Sequence, residues 1–217
     1  MDKTSIWYFS KKEKKDLLIS WVVLSLAFTL VLIRVQLIGN IINNGNPLPL
    51  ELAILIAFVA VGTGFVFHEL AHRQAARHFG FHSEYRAWYQ MLGLAVVFAV
   101  VTGWIIAAPG ATYFFGQNVT RKQNGIISIA GPAINLLMGF LLLIIGLTII
   151  GSFVGNILIA AAIINFWFAF FNLLPILMLD GSKVVAWNPA IWFITITVAG
   201  IMALMPSLFI SLISFAF

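Results

Sequence analysis

Cysteine is absent from the 217-residue chain and charge is scarce, with seven Asp and Glu and twelve Lys and Arg making up 9% of the residues. Without cysteine there are no disulfides and no thiolate ligands, so any metal must be held by nitrogen and oxygen. An ordinary soluble domain carries roughly 25% charged residues. A chain with 9% cannot cover a water-facing surface, which excludes a cytosolic globular enzyme. Collagen, coiled coil and disordered tail fail on the same composition. What fills the chain is apolar: 62% hydrophobic residues and a mean hydropathy of +1.05. An integral membrane protein follows, with spans of about 20 residues each, read as one domain over 1–217. The net charge of +5 would suggest nucleic acid in a soluble chain. Membrane proteins, however, gather Lys and Arg in cytoplasmic loops, so the expected partner is the lipid bilayer and not nucleic acid.

Lys3, Lys11, Lys12, Lys14 and Lys15 precede an apolar run from Leu17 to Ile33. That run is too long for a typical signal-peptide core and lacks a small-x-small cleavage site; a retained first span over about 17–38 is expected. Residues 39–50, rich in Asn, Gly and Pro, read as a turn-rich loop. A second helix runs from near Glu51 to about Phe79, followed at 81–90 by a polar loop or short strand at the membrane surface. Residues 91–108 are apolar but broken by Gly93 and Gly103, and Ala107-Ala108-Pro109-Gly110 follows. Three more apolar segments lie at about 125–151, 154–176 and 188–217, the last interrupted by Pro206. The expected fold is an all-α polytopic membrane protein of five to six transmembrane helices, with a re-entrant or hairpin segment near 91–115.

Two of only four histidines stand in His68-Glu69-Leu70-Ala71-His72. Chance would place HExxH in on the order of one such chain in a thousand. On a helix, positions i and i+4 share a face, so both imidazoles reach one Zn²⁺ about 2.0–2.1 Å away. Glu69 then stands where a general base is needed, taking a proton from a water whose pKa the metal lowers. Buried ionisable groups in a membrane span usually mark function, which favours this reading over a pair of satisfied core histidines.

A hydrolytic zinc site needs a third protein ligand. The acids are Asp2, Glu13, Asp16, Glu51, Glu69, Glu84 and Asp180. Beyond the motif only Glu84, in a surface-like segment, and Asp180 remain. Asp180 ends the run Asn172-Leu173-Leu174-Pro175-Ile176-Leu177-Met178-Leu179-Asp180-Gly181, at the end of a long apolar helix. An unpaired carboxylate there is costly and coordination would stabilise it, so Asp180 is the expected third ligand, with an interfacial helix-end aspartate as the alternative. His78 competes by its spacing from His68. Yet Ala75 stands where the chain would have to turn back, and six helical residues carry His78 about 240° round the axis from His72.

Gly131-Pro132-Ala133-Ile134-Asn135 places an amide in the first two turns of an otherwise apolar helix. Pro132 suits helix initiation. Asn135 either donates to the scissile carbonyl and its developing oxyanion or packs between helices.

With these three segments in order, the chain resembles the site-2 protease family of intramembrane zinc metalloproteases over roughly residues 50–185. The resemblance implies that His68, His72 and Asp180 bind one Zn²⁺, that Glu69 activates water, and that Asn135 contacts substrate or oxyanion. Asn172 and Pro175 would shape the helix end that presents Asp180. It further implies a transmembrane protein as substrate; no segment suits the PDZ-like or CBS module that some members carry.

For the three motifs to meet, residues 80 and 124 must lie on one membrane face, so 91–108 cannot be a single crossing. With a cytoplasmic N-terminus and a re-entrant segment, 11 of the 12 basic residues fall on the cytoplasmic side and only Arg34 on the other. An irregular path inside a membrane needs protein or water to satisfy its backbone; beside the site it could pair with an unwound substrate as an added strand. Two rivals are a membrane metalloprotease acting on cytoplasmic peptides and a non-catalytic metal-binding or transport protein. The latter would have no need of Glu69.

Overall fold

The computed structural model describes residues 8–43, 48–105, 109–116, 118–176 and 178–214. Asp2, Lys3, residues 44–47 of the expected loop, Ala107, Ala108, Leu177 and residues 215–217 lie outside them. The first helix, α1 (Lys11–Asn43), begins with four exposed lysines, while Glu13 and Asp16, three residues apart on the other face, are buried. An unbroken helical run then joins α2 (Leu50–Val61), a π-helical turn (Gly62–Val66) and α3 (Phe67–His78). In the π turn the Phe67 N–H bonds the Gly62 carbonyl, five residues back. Gly64 in this turn lies against α6 (Phe153–Asn172), where a Cβ would overlap the Phe168 ring.

α5 (Arg121–Thr148) is started by a capping box in which Thr120 and Gln123 satisfy each other's backbone amides. It packs along α6 through Gly139, whose missing side chain admits the Phe166 ring. The short α7 (Asp180–Trp187) and α8 (Pro189–Ser214) close the bundle, and α8 continues as one helix past Pro206. One apolar cluster gathers Leu17, Leu24, Val61, Phe65, Tyr85 and Leu92, and a second gathers Ala60, Leu142, Ala161, Phe166 and Ala203. The α2–α3 run passes between them and carries the histidines.

Four helical runs are long and apolar enough to cross a membrane among the described residues: Lys11–Arg34, Leu50–His78, Arg121–Thr148 and Phe153–Asn172. α4 (Tyr89–Thr102) and the Pro189–Met205 part of α8 are shorter.

The fold departs from an all-α expectation in one place. β1 (His82–Ala87) pairs antiparallel with β2 (Gly110–Phe115), Ala87 opposite Gly110 and Tyr85 opposite Thr112. Residues 88 and 109 are therefore neighbours, joined by the Trp88 N–H to the Pro109 carbonyl at 2.9 Å. Everything between them leaves and returns at one place, as a hairpin must. α4 runs along α1: the Tyr89 hydroxyl donates to Asp16 Oδ1 at 2.6 Å, and Arg34 donates to the Val100 carbonyl near the other end. Its 14 residues make about 21 Å, short of the roughly 30 Å hydrocarbon core. The strands form because 82–87 and 110–115 mix aromatic, β-branched and polar residues, which fit a half-buried pleat.

Two helix boundaries also differ from the sequence reading. α5 starts at Arg121, so Pro132 lies inside it rather than near its beginning. Asp180 does not end the preceding helix; α6 stops at Asn172, the chain turns through Pro175, and Asp180 opens α7. A carboxylate in a first turn faces the positive end of the helix dipole.

Candidate metal centre

His68 and His72 lie one turn apart on α3 and present their Nε2 atoms 2.9 Å from each other. Asp180 Oδ2 completes the triangle, 3.3 Å from His68 Nε2 and 3.1 Å from His72 Nε2. All three residues are buried, at 6%, 8% and 9% exposure.

The far side of each ring settles its tautomer. His68 Nδ1–H donates to Asn135 Oδ1 at 2.5 Å and His72 Nδ1–H donates to the Ile127 carbonyl at 2.7 Å. With the protons there, both Nε2 atoms carry lone pairs, and these converge with a carboxylate oxygen on one point. Three acceptors so close repel one another unless a cation lies between them. Donors about 2.0–2.1 Å from one tetrahedral ion stand about 3.3–3.4 Å apart, close to the separations found here. The donor set of two imidazoles and one carboxylate suits zinc, and this is the one group of three metal-capable side chains among the described residues. Asp180 joins this triangle through Oδ2. Its other oxygen, Oδ1, lies 3.5 Å from Lys183 Nζ.

α5 is shaped around this triangle. A Cβ on Gly131 would collide with His72 Nε2 and the His68 ring, so only glycine lets the helix lie against them. Pro132 removes one helical amide and opens the turn, next to the Ile127 carbonyl that receives His72. Asn135 is fully buried; its Nδ2 donates to the Gly64 carbonyl at 2.7 Å and reaches Asn165 Oδ1 at 3.4 Å. Its amide protons are thus directed at the π turn and α6, and its oxygen at His68. The geometry suits holding an imidazole rather than donating to a carbonyl.

Glu69 lies beside the triangle at 9% exposure. Its Oε2 accepts from Thr112 Oγ1 of β2 at 2.8 Å. The competing ligands stand elsewhere: His78 is exposed at the end of α3, and Glu84 pairs with Arg86 and lies 3.6 Å from His82. Asn172 donates to the Phe168 carbonyl of its own helix at 2.9 Å.

Four participants escape a reading of the sequence alone. Asn165 donates to Thr63 Oγ1 at 2.8 Å and extends the chain of polar contacts from His68 through Asn135. Thr112 holds Glu69. Glu13 accepts from Arg73 Nε at 2.8 Å, both side chains fully buried, and from the Tyr85 N–H at 3.1 Å. Arg73 follows His72 directly, so the start of α1 is tied to the helix that bears the histidines.

No family model matches the chain, and no solved structure matches it. It is 40% identical over 191 residues to a protein of Methanocaldococcus jannaschii named "Putative zinc metalloprotease MJ0611", the match spanning 88% of this chain and 92% of that one.

Proposed function

This chain belongs to the family of that archaeal zinc metalloprotease, and from that premise we propose that it hydrolyses peptide bonds within or beside transmembrane segments of other membrane proteins. The observation that carries the reading is where the metal centre lies. His68 stands 18 residues into the apolar helical run Leu50–His78, about 27 Å along its axis, inside the thickness of a bilayer and near one face. A centre at that depth meets peptide bonds that a surface protease does not.

His68, His72 and Asp180 would hold one Zn²⁺, which when bound polarises a water and the scissile carbonyl. Glu69 accepts a proton from the attacking water and returns it to the leaving nitrogen, the ordinary division of labour for a general base. Asn135 and the Ile127 carbonyl fix the two imidazole tautomers, as partners behind a metal ligand do. β2 offers a place for the substrate. The Trp88–Pro109 bond sets the alternation of the antiparallel ladder, and this alternation leaves the backbone groups of Gly110, Thr112 and Phe114 directed away from β1. An unwound substrate segment added along that edge lies beside Glu69.

α1, the α2–α3 run, α5, α6 and α8 are read as spans, five in all, with α4 re-entering from the side where β1 and β2 lie. The basic residues support an orientation with the N-terminus and active site towards the cytoplasm, because Lys11, Lys12, Lys14, Lys15, Arg121 and Lys122 are exposed at one set of helix ends.

The test is zinc content together with cleavage of a transmembrane test substrate, for the wild type and Glu69→Gln. About one zinc in both proteins and cleavage by the wild type alone are expected. Equal cleavage by the two removes Glu69 from the mechanism, and cleavage of soluble peptides but not of the membrane substrate moves the site's target to the cytoplasm.

A further inference from the structure

The reading of Glu69 as general base leaves open what holds its carboxylate. A base that rotates freely spends little time aimed at the water. α3 offers no partner for it from the triangle itself, because His68 and His72 are turned towards Asp180, Asn135 and Ile127.

The partner comes from the hairpin. Thr112 Oγ1 lies 2.8 Å from Glu69 Oε2 and 3.1 Å from the Glu69 backbone carbonyl. A hydroxyl has a single proton, and the shorter contact is to the side-chain oxygen. Thr112 is half-buried, opposite Tyr85 in the ladder, on the sheet face that carries buried Ser83 and Tyr85, while its neighbours Tyr113 and Phe115 are exposed on the other face. Its side chain and backbone therefore point to different tasks. The side chain turns to α3 and the base, and the backbone faces the open edge of β2.

We propose that Thr112 is the positioning residue of the general base: its hydroxyl fixes Glu69 Oε2, leaves Oε1 to take the proton, and places the base in register with a substrate strand lying on β2. The hairpin near 91–115 then does more than receive substrate. It completes the base, so a displaced β2 leaves Glu69 unheld.

This inference rests on the proposed peptidase activity, and the experiment separates the two. Thr112→Val keeps the shape and β propensity but removes the hydroxyl; Thr112→Ser keeps the hydroxyl. With a transmembrane test substrate, Thr112→Val should lower kcat by about tenfold or more, as loss of an aligned base does. KM should stay within about twofold, because the backbone edge is intact, and zinc content should not change. Thr112→Ser should recover most of kcat. A Thr112→Val enzyme with wild-type kcat, one in which KM rises in step with the fall in kcat, or failure of serine to rescue would each overturn the proposal. Should the wild type cleave nothing, the peptidase reading falls, and the contact is then tested by thermal unfolding in detergent. Thr112→Val should lower Tm in the wild-type background and have no further effect in Glu69→Ala; additive shifts overturn it.

Discussion

Gly131 lies so close against His72 that any side chain on it would occupy the space of the imidazole's Nε2 edge. The glycine thus sets how near α5 comes to the metal centre. Gly131→Ala should weaken zinc binding by at least the 10–100-fold seen when the surroundings of a metal ligand are disturbed, measured by competition with a chelator. Unchanged affinity would mean that α5 yields at no cost.

Asn135 separates two roles that the sequence alone leaves open. As a holder of His68, Asn135→Ala should cost about 10–100-fold in zinc affinity, and Asn135→Asp, which keeps the acceptor oxygen, should retain zinc. As an oxyanion donor, Asn135→Ala would instead keep full zinc and lose only kcat. Zinc titration of the two variants decides between these.

The Glu13–Arg73 pair is fully buried, with Glu13 Oε2 lacking a hydrogen-bond partner among the described residues. Removing one partner of such a pair costs about 3–5 kcal/mol, whereas replacing both with apolar residues is often neutral. Glu13→Leu should therefore lower the unfolding temperature markedly, and Glu13→Leu with Arg73→Met should restore most of it. A double variant no better than the single one would show that the loss comes from the missing pair itself and not from the unpaired buried arginine.

Absence of cysteine makes single-cysteine labelling clean. Lys15→Cys and Lys122→Cys, both at exposed positions, should react with a membrane-impermeant reagent from the same side. Reaction from opposite sides would make 88–109 a full crossing and break the proposed topology.

What could be read from the sequence follows from the range of the interactions. His68, Glu69 and His72 are local, set by one helical turn, and need no tertiary knowledge. Asp180 was reachable because so few acids compete for the place. Its setting was not: Pro175 and Gly181 both read as helix terminators, and nothing local says that a new helix begins at Asp180 itself. The hairpin was legible from charge and from the need for three motifs to meet, and β1 falls within 81–90, where a polar loop or short strand was expected, whereas β2 follows an apolar segment with no local strand signal of its own. Thr112 and Glu69 are 43 residues apart, and Glu13 and Arg73 are 60; contacts of that range leave no periodic trace.

The π turn at Gly62–Val66 has a consequence for how such a protein changes over time. Each π-type bond spans five residues where an α-type bond spans four, so the turn resets the rotational phase of everything after it by up to about 100°. α2 can keep its apolar stripe in step with its neighbours while α3 aims His68 and His72 independently. Shortening that turn by one residue would swing both imidazoles away from Asp180, whereas substitutions at the exposed positions of α2 do not change the phase of α3. Exposed positions of α2 such as Leu50 and Leu55 are free to drift, and its buried face and the half that bears the histidines are not.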